Sequence, residues 1–166
     1  VIEDCDLALG SSIDGIHAGL FGDLGCFSFY PVKHITTAEG GMLTTSNPQW
    51  AATIRSKRAF GMDRHVGELT MPGMYDVVEL GWNYRMSELH AAIGIEQMKR
   101  LPDFLKQRKE HHEELSCGLQ TIEEIELFQS STDRLVSSYY CHNIILKPKL
   151  AKQRNQLITF LKERGL

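Results

Sequence analysis

The chain has 166 residues, a formal net charge of −3 and a charged fraction of 23%. This length suits one ordinary domain or one and a half, and the balanced charge gives no bias towards nucleic acid or a membrane surface. No apolar run approaches the ~20 residues that a membrane helix needs, and the four cysteines form no CxxC pair, so we expect a cytoplasmic protein with reduced thiols.

The first predicted element is a short apolar and acidic strand, Val1–Cys5. Side chains alternate across a strand, so Glu3 and Asp4 point to opposite faces and only one of them can meet a ligand. Ligands of open α/β sheets gather at the carboxyl ends of strands, so an acidic residue here either holds a ligand or caps a turn. In the Gly- and Ser-rich stretch that follows, Asp14 and Gly15 predict a hairpin turn.

The segment Leu24–Tyr30 is apolar and aromatic, which predicts a buried strand. Pro31 ends this strand because proline cannot donate to a sheet ladder. Lys33 therefore lies in a loop just beyond a strand end. A lysine is most often a solvated surface cation. In this setting, however, we expect burial to lower the pKa of the amine, which makes it a nucleophile near neutral pH.

A third strand is predicted over Gly41–Thr45, followed by a helix that Asn47 caps. The helix is expected to run to about Phe60, where a glycine follows and ends it. Trp50 and Ile54 lie one helical turn apart, so both are predicted to face the core.

The next part of the chain is predicted to be a long loop and then helices. Residues 62–80 show no hydrophobic period and indicate the loop. Ser87 caps a helix, and Pro102 is expected to interrupt it and start another. His111 and His112 are adjacent, but without an HExxH spacing they indicate a solvated helix face and no metal site.

The last part of the chain is predicted to contain a strand followed by a helix. Ser137–Leu146 is β-like, and Gln153–Arg164 is helical with Leu157, Ile158 and Leu161 facing inward. A strand and a helix after a helical connector indicate a second, smaller domain that begins at about residue 102.

Three stretches together resemble the DegT/DnrJ/StrS-type sugar aminotransferases, which use pyridoxal phosphate (PLP). They are VIEDCDLALGSSIDGIHAGLFGDLGCFSF, SFYPVKHITTAEGGM and LGWNYRMSELHAAIGIEQMKRL. The resemblance implies an α/β fold of the aspartate-aminotransferase-like type. Residues 1–101 would form the C-terminal part of the PLP-binding large domain, and residues 102–166 a connector helix and a partial small domain. Members of the family are longer, so we expect this chain to be the middle of a larger enzyme and to be inactive alone.

The resemblance also implies site residues. It assigns Lys33 to the covalent bond with PLP, Asp4 to the ring nitrogen and Ser28 to the phosphate. Asn83 would cross a dimer interface to reach the phosphate of the neighbouring subunit. The chain departs from the family pattern at Leu7, where members usually carry a Gln or His that touches the ring hydroxyl. An apolar side chain cannot make that hydrogen bond, so we expect a different pKa for the bond between Lys33 and PLP.

The implied reaction transfers an amino group, from glutamate, to a nucleotide-linked keto-deoxy sugar. It would serve the biosynthesis of cell-surface polysaccharides or amino sugars in a cytoplasmic homodimer, without nucleic acid, membrane or metal partners. Two alternatives remain open from the sequence. One is a non-catalytic fragment or regulatory paralogue, which Leu7 favours, and the other is a related PLP-dependent sugar dehydratase, against which Lys33 argues because those enzymes carry histidine in its place.

Overall fold

A computed structural model describes residues 1–62, 71 and 74–166 of the chain. The long loop predicted over residues 62–80 lies largely outside the described residues. None of the described helices is both long and apolar enough to span a membrane. In chain order the described elements are β1 (Ile2–Asp4), β2 (Ser12–Ile13), β3 (Ile16–His17), β4 (Leu24–Ser28), β5 (Gly41–Thr44), α1 (Pro48–Lys57), α2 (Glu88–Leu119), β6 (Ile125–Leu127), β7 (Leu135–Val136), β8 (Ile144–Leu146), a 3₁₀ helix (Pro148–Gln153) and α3 (Arg154–Lys162).

The sheet that carries the predicted site has the strand order β1-β4-β5. Strand β1 runs parallel to β4, with Asp4 opposite Cys26, and β4 runs antiparallel to β5. The three segments predicted to share one sheet therefore do so. β4 ends at Ser28 rather than Tyr30, although the Phe29 amide still donates to the Gly40 carbonyl at 2.9 Å.

Two smaller sheets, β3-β2-β7 and β6-β8, complete the strand pairing of the described residues. The predicted hairpin turn is confirmed, because Asp14 and Gly15 link β2 to β3 with φ angles of 51° and 79°. The prediction of a strand over residues 137–146 is largely wrong, since only Ile144–Leu146 forms a β-strand. Tyr139 adopts a φ of 51°, which breaks the strand, and the carbonyls of Ser138 and Tyr140 accept hydrogen bonds from side chains instead.

Helix α1 begins as predicted and ends earlier. The Asn47 side chain accepts from two amides of the first turn, which satisfies donors that have no partner within the helix. The helix ends at Lys57 rather than Phe60, because Phe60 adopts a φ of 67° and its amide donates to the Trp82 carbonyl. The prediction that Trp50 faces the core is wrong, since this residue is 40% exposed, whereas Ile54 is half-buried.

Helix α2 is one continuous element of 32 residues that begins after the Ser87 cap. The prediction that Pro102 interrupts it is wrong. A proline inside a helix removes one hydrogen bond and costs about 3 kcal/mol, yet the helix continues through Pro102. Leu101, immediately before the proline, is buried against Phe29 and Ile35. This cluster is the main apolar core of the described residues, and Leu9, Phe27, Met86, Phe104 and Leu105 pack around it.

Candidate active site

The carboxyl ends of β1 and β4 bring two predicted site residues to one edge of the sheet. Asp4 is the last residue of β1 and Ser28 is the last residue of β4. The two strands are parallel neighbours, so these ends meet on the side where open α/β sheets bind ligands. The Ser28 hydroxyl accepts a 3.3 Å bond from the Tyr30 amide, and an Asp4 carboxylate oxygen accepts one of the same length from the Asp6 amide.

The two acidic residues of β1 have different environments, as the strand alternation predicts. Glu3 accepts backbone hydrogen bonds from Gly19, Phe21 and Gly22 at 2.6–2.8 Å. These donors stabilise the charged form, so the pKa of the Glu3 carboxyl lies below its usual value. Glu3 therefore anchors the loop before β4, and Asp4 is the carboxylate that stays available at the strand end.

The loop that carries Lys33 is fixed at both of its ends. Phe29 before it and Ile35 after it are buried in the core, with 5% and 1% of their surfaces exposed. The Lys33 amide donates to the Tyr30 carbonyl at 2.9 Å, and the amide of the fully buried Thr37 donates to the Phe29 carbonyl at 3.0 Å. These contacts place Lys33 on a rigid support just beyond a strand end, as the sequence predicts.

The Lys33 amine is held by an ion pair that the sequence does not predict. Only 13% of the Lys33 side chain is exposed, and its Nζ lies 2.6 Å from Asp6 Oδ2. Nζ also lies 5.5 Å from the centre of the Tyr140 ring. The Asp6 carboxylate raises the pKa of the Lys33 amine, because this hydrogen bond outweighs the opposing effect of burial. The expectation that burial would lower the pKa of the Lys33 amine is therefore wrong.

His34, the neighbour of Lys33, points into the interior. It is 4% exposed, and its Nε2 lies 3.0 Å from the Ser138 carbonyl. A carbonyl only accepts, so Nε2 carries the proton and Nδ1 is left buried without a hydrogen-bond partner among the described residues. Burial lowers the pKa of His34, so the imidazole beside Lys33 is favoured in its neutral form.

The segment 137–142 forms a second wall of the site. Arg108 of α2 donates to the Tyr140 carbonyl at 3.1 Å, and the Ser138 hydroxyl donates to the Leu7 carbonyl at 2.8 Å. These bonds hold the Tyr140 ring against the lysine loop, where it lies 5.4 Å from the His34 ring. Leu7 itself presents an apolar side chain that is 42% exposed, so it supplies no polar side-chain group to the site.

A cavity of about 470 Å³ opens beside Lys33. Most of the residues that line it carry polar or basic side chains, which can bind oxygen atoms of a ligand. They belong to the lysine loop and to α2, and they include Thr36, Gln97, Gln107, Arg108 and His111.

Asn83 is placed apart from these residues. It is exposed and forms an isolated antiparallel bridge with Ala59, just after α1. In the described part of the chain no hydrogen bond joins it to Lys33, Asp4 or Ser28. Its expected role across a dimer interface stays a prediction.

The two adjacent histidines of α2 differ. His111 is exposed, as a solvated helix face requires, but His112 is half-buried. His112 Nε2 lies 2.7 Å from the Ser130 hydroxyl, and its ring centre lies 4.4 Å from that of His142. The predicted solvated face is therefore wrong for His112, because the segment 130–142 covers it. No group of three or more potential metal ligands occurs among the described residues.

Sequence reasoning missed Asp6, His34 and Tyr140 as members of the site. Asp6 carries a weak signal, since it follows a strand-end aspartate by two residues. Tyr140 carries no local signal, because more than one hundred residues separate it from Lys33 in the sequence. Only the packing of segment 137–142 on the lysine loop and on α2 brings it there.

Comparisons with known proteins identify relatives along the whole chain. A sequence model of the DegT/DnrJ/EryC1/StrS aminotransferase family matches residues 1–166. The lipopolysaccharide biosynthesis protein RfbH of Salmonella typhimurium is 33% identical over 98% of this chain and 41% of that protein. A UDP-4-amino-4,6-dideoxy-N-acetyl-beta-L-altrosamine transaminase of Campylobacter jejuni is 34% identical over 100% of this chain and 43% of that protein.

Solved structures also resemble the chain. Spr1654 of Streptococcus pneumoniae, assigned as a sugar aminotransferase and solved in a PMP form, superimposes with a TM-score of 0.90. It is 26% identical, and the match covers 99% of this chain and 43% of that one. The chain therefore spans about two fifths of the length of the proteins that it matches.

Proposed function

Because the chain belongs to the DegT/DnrJ/EryC1/StrS aminotransferase family, we propose that the protein is a PLP-dependent sugar aminotransferase. It transfers an amino group from an amino acid, with glutamate as the expected donor, to a nucleotide-linked keto-deoxy sugar. The name of the Campylobacter transaminase supports a nucleotide-sugar substrate, and that of RfbH supports a role in surface polysaccharide biosynthesis. We propose that the enzyme acts as a homodimer in the cytoplasm.

The observation that carries this proposal is the position of Lys33. Its amine is mostly shielded, lies beyond the carboxyl end of β4 and is surrounded by groups that can move or stabilise its proton. PLP needs an amine to bond to its aldehyde, a carboxylate for its ring nitrogen and neutral donors for its phosphate. Lys33, Asp4 and Ser28 supply these groups at one edge of the sheet, so the residues present fit the cofactor.

Each residue then has a distinct task. When bound, PLP supplies the electron sink that allows an amino group to leave one carbon and enter another. Lys33 binds the cofactor and carries protons at its Nζ. Asp4 favours the protonated ring nitrogen, and Ser28 donates a hydrogen bond to the phosphate. Asn83, exposed and apart from the other three, would serve the phosphate site of the neighbouring subunit.

Binding of PLP is tested by reductive trapping of the lysine that bonds to its aldehyde. The protein is incubated with PLP, reduced with borohydride and digested, and the modified lysine is identified by mass spectrometry. We expect the label on Lys33, its loss in Lys33→Ala, and its retention in Lys99→Ala, a control that removes an exposed lysine of α2. Label spread over exposed lysines, with Lys33 unmodified, would contradict the proposed role.

The reaction is tested with glutamate and a panel of nucleotide-linked keto-deoxy sugars. We expect 2-oxoglutarate and an aminated sugar in equal amounts, both absent for Lys33→Ala. Loss of water from the sugar without consumption of glutamate would instead identify a dehydratase. Binding of PLP without either reaction would favour a non-catalytic paralogue.

A further inference from the structure

The Lys33–Asp6 pair has no task in the proposed roles, yet it is the shortest polar contact of the Lys33 side chain. Nζ lies 2.6 Å from Asp6 Oδ2, well inside hydrogen-bond distance. The two side chains differ in exposure, at 13% for Lys33 and 41% for Asp6. The amine is therefore withdrawn from water, whereas the carboxylate that holds it is open to water.

The backbone of Asp6 is fixed by the strand end that precedes it. The Asp6 amide donates to Asp4 Oδ1 at 3.3 Å, and the Ala8 amide donates to the Cys5 carbonyl at 3.0 Å. These two bonds close a turn directly after β1. As a result, Asp4 orients the backbone of Asp6, and Asp6 in turn binds the amine.

We propose that Asp6 is a positioning residue, whose carboxylate holds the Lys33 amine at the strand end, opposite the Tyr140 ring. The functional consequence rests on the proposed function, whereas the ion pair itself does not. Since Leu7 offers no polar side chain at this turn, Asp6 is the side chain of residues 5–7 that can bind the amine by an ionic hydrogen bond.

The other groups that face Lys33 agree with this assignment. Asp4 adds negative charge from the same strand end, and the Tyr140 ring face attracts a cation from the opposite wall. His34 is favoured in its neutral form, so it repels the ammonium little. Arg108, a further cation near the site, is engaged with the Tyr140 carbonyl.

This arrangement has a cost for nucleophilic chemistry. Only the neutral amine attacks an aldehyde, so a proton must leave Nζ first. Asp6 stabilises the charged form, and its pairing therefore slows attack while it keeps the amine aimed at the strand end. Removal of the carboxylate should free the amine to react at lower pH, at the expense of its fixed orientation.

The test measures the reactivity of Lys33 without any cofactor. The protein is pulse-labelled with acetic anhydride over a pH series, and acetylation of Lys33 is quantified by mass spectrometry against an internal peptide standard. In Asp6→Asn we expect the titration midpoint of Lys33 to move to lower pH. We also expect its labelling rate at pH 8 to rise about two- to fivefold, the range typical of pairing with a part-exposed carboxylate.

Three further variants make this result specific. Asp14→Asn removes the carboxylate of a different ion pair, with Arg134, and should leave the Lys33 midpoint unchanged. Asp6→Glu restores a carboxylate and should return the midpoint towards that of the wild type, which a merely structural role of Asp6 would not do. Asp6→Ser repeats the measurement, so that a folding defect of one variant, seen by circular dichroism, does not decide the outcome.

An unchanged Lys33 midpoint in folded Asp6→Asn or Asp6→Ser would overturn the proposal. The trapping experiment with PLP separates this failure from failure of the proposed function. A midpoint that shifts while Lys33 resists trapping would leave Asp6 as the partner of Lys33 and refute the cofactor. Trapping on Lys33 with no shift would support the cofactor and refute the role of Asp6.

Discussion

Leu101 links helix α2 to the loop that carries Lys33, so its truncation tests how that loop is held. Leu101 is 9% exposed and packs against Phe29 and Ile35, which flank the loop on its two sides. A Leu→Ala change at a buried position lowers the free energy of unfolding by about 2–5 kcal/mol, because less apolar surface is buried and a cavity remains. The site lies near the surface of a small core and can partly collapse, so we expect a loss of about 2–3 kcal/mol for Leu101→Ala.

The assay is urea unfolding followed by circular dichroism. With a slope of roughly 1–3 kcal/mol per molar urea, this loss lowers the midpoint by about 0.7–3 M. The matched control is Leu89→Ala, the same change on the same helix at a residue that is 79% exposed, for which we expect a change within about 0.5 kcal/mol. Equal midpoints for the two variants would refute the view that this cluster supports the lysine loop.

Three further predictions concern stability. The three amides that bind Glu3 lower the pKa of its carboxyl below the ordinary 4.5. The stabilising effect of the Glu3 carboxylate is therefore present above that value and is lost as the pH falls through the folded pKa. Acid unfolding of Glu3→Gln should depend less on pH below about pH 4.5 than that of the wild type. Gly25→Ala should unfold at lower urea than the wild type, because an added Cβ would lie 2.7 Å from the Gly19 carbonyl. Gly118→Ala, which meets no atom within 4 Å, should instead stabilise α2 by about 0.5–1 kcal/mol, and the same sign for both glycine variants would contradict this reasoning.

The sequence predicts the elements whose signals are local. The strands at Val1–Cys5, Leu24–Tyr30 and Gly41–Thr45 are found within two residues of their predicted ends, because apolar runs bounded by turn residues have few other solutions. The caps at Asn47 and Ser87 are found as predicted, since each side chain bonds amides within three residues of itself.

The errors occur where distant contacts decide the structure. Pro102 predicts a helix end from its own chemistry, but Leu101 beside it gains a core contact with the lysine loop that the local sequence cannot reveal. Trp50 lies on the predicted inner face of α1 and is nevertheless 40% exposed. His112 is covered only because a segment about 20 residues later folds over it.

The same limit applies to the candidate site, and it concerns the charge of Lys33 most of all. The sequence pattern predicts the end of β4, the loop after it and the lysine in that loop. The pKa of an amine, however, depends on the groups that surround it in space. Burial alone would favour the neutral amine, whereas a carboxylate at 2.6 Å favours the ammonium, and the carboxylate has the larger effect here.

The distribution of charge at the strand ends also fixes a direction for a bound ligand. Asp4 and Asp6 place two carboxylates at the end of β1 and just beyond it, while Ser28 places a neutral hydroxyl at the end of the neighbouring β4. A ligand with a cationic ring nitrogen at one end and a phosphate at the other is attracted to the carboxylates by its nitrogen and repelled from them by its phosphate. Under the proposed function, this asymmetry directs the ring nitrogen to β1 and the phosphate to β4. Lys33, five residues beyond Ser28 in the sequence, would then be the amine that bonds to the cofactor.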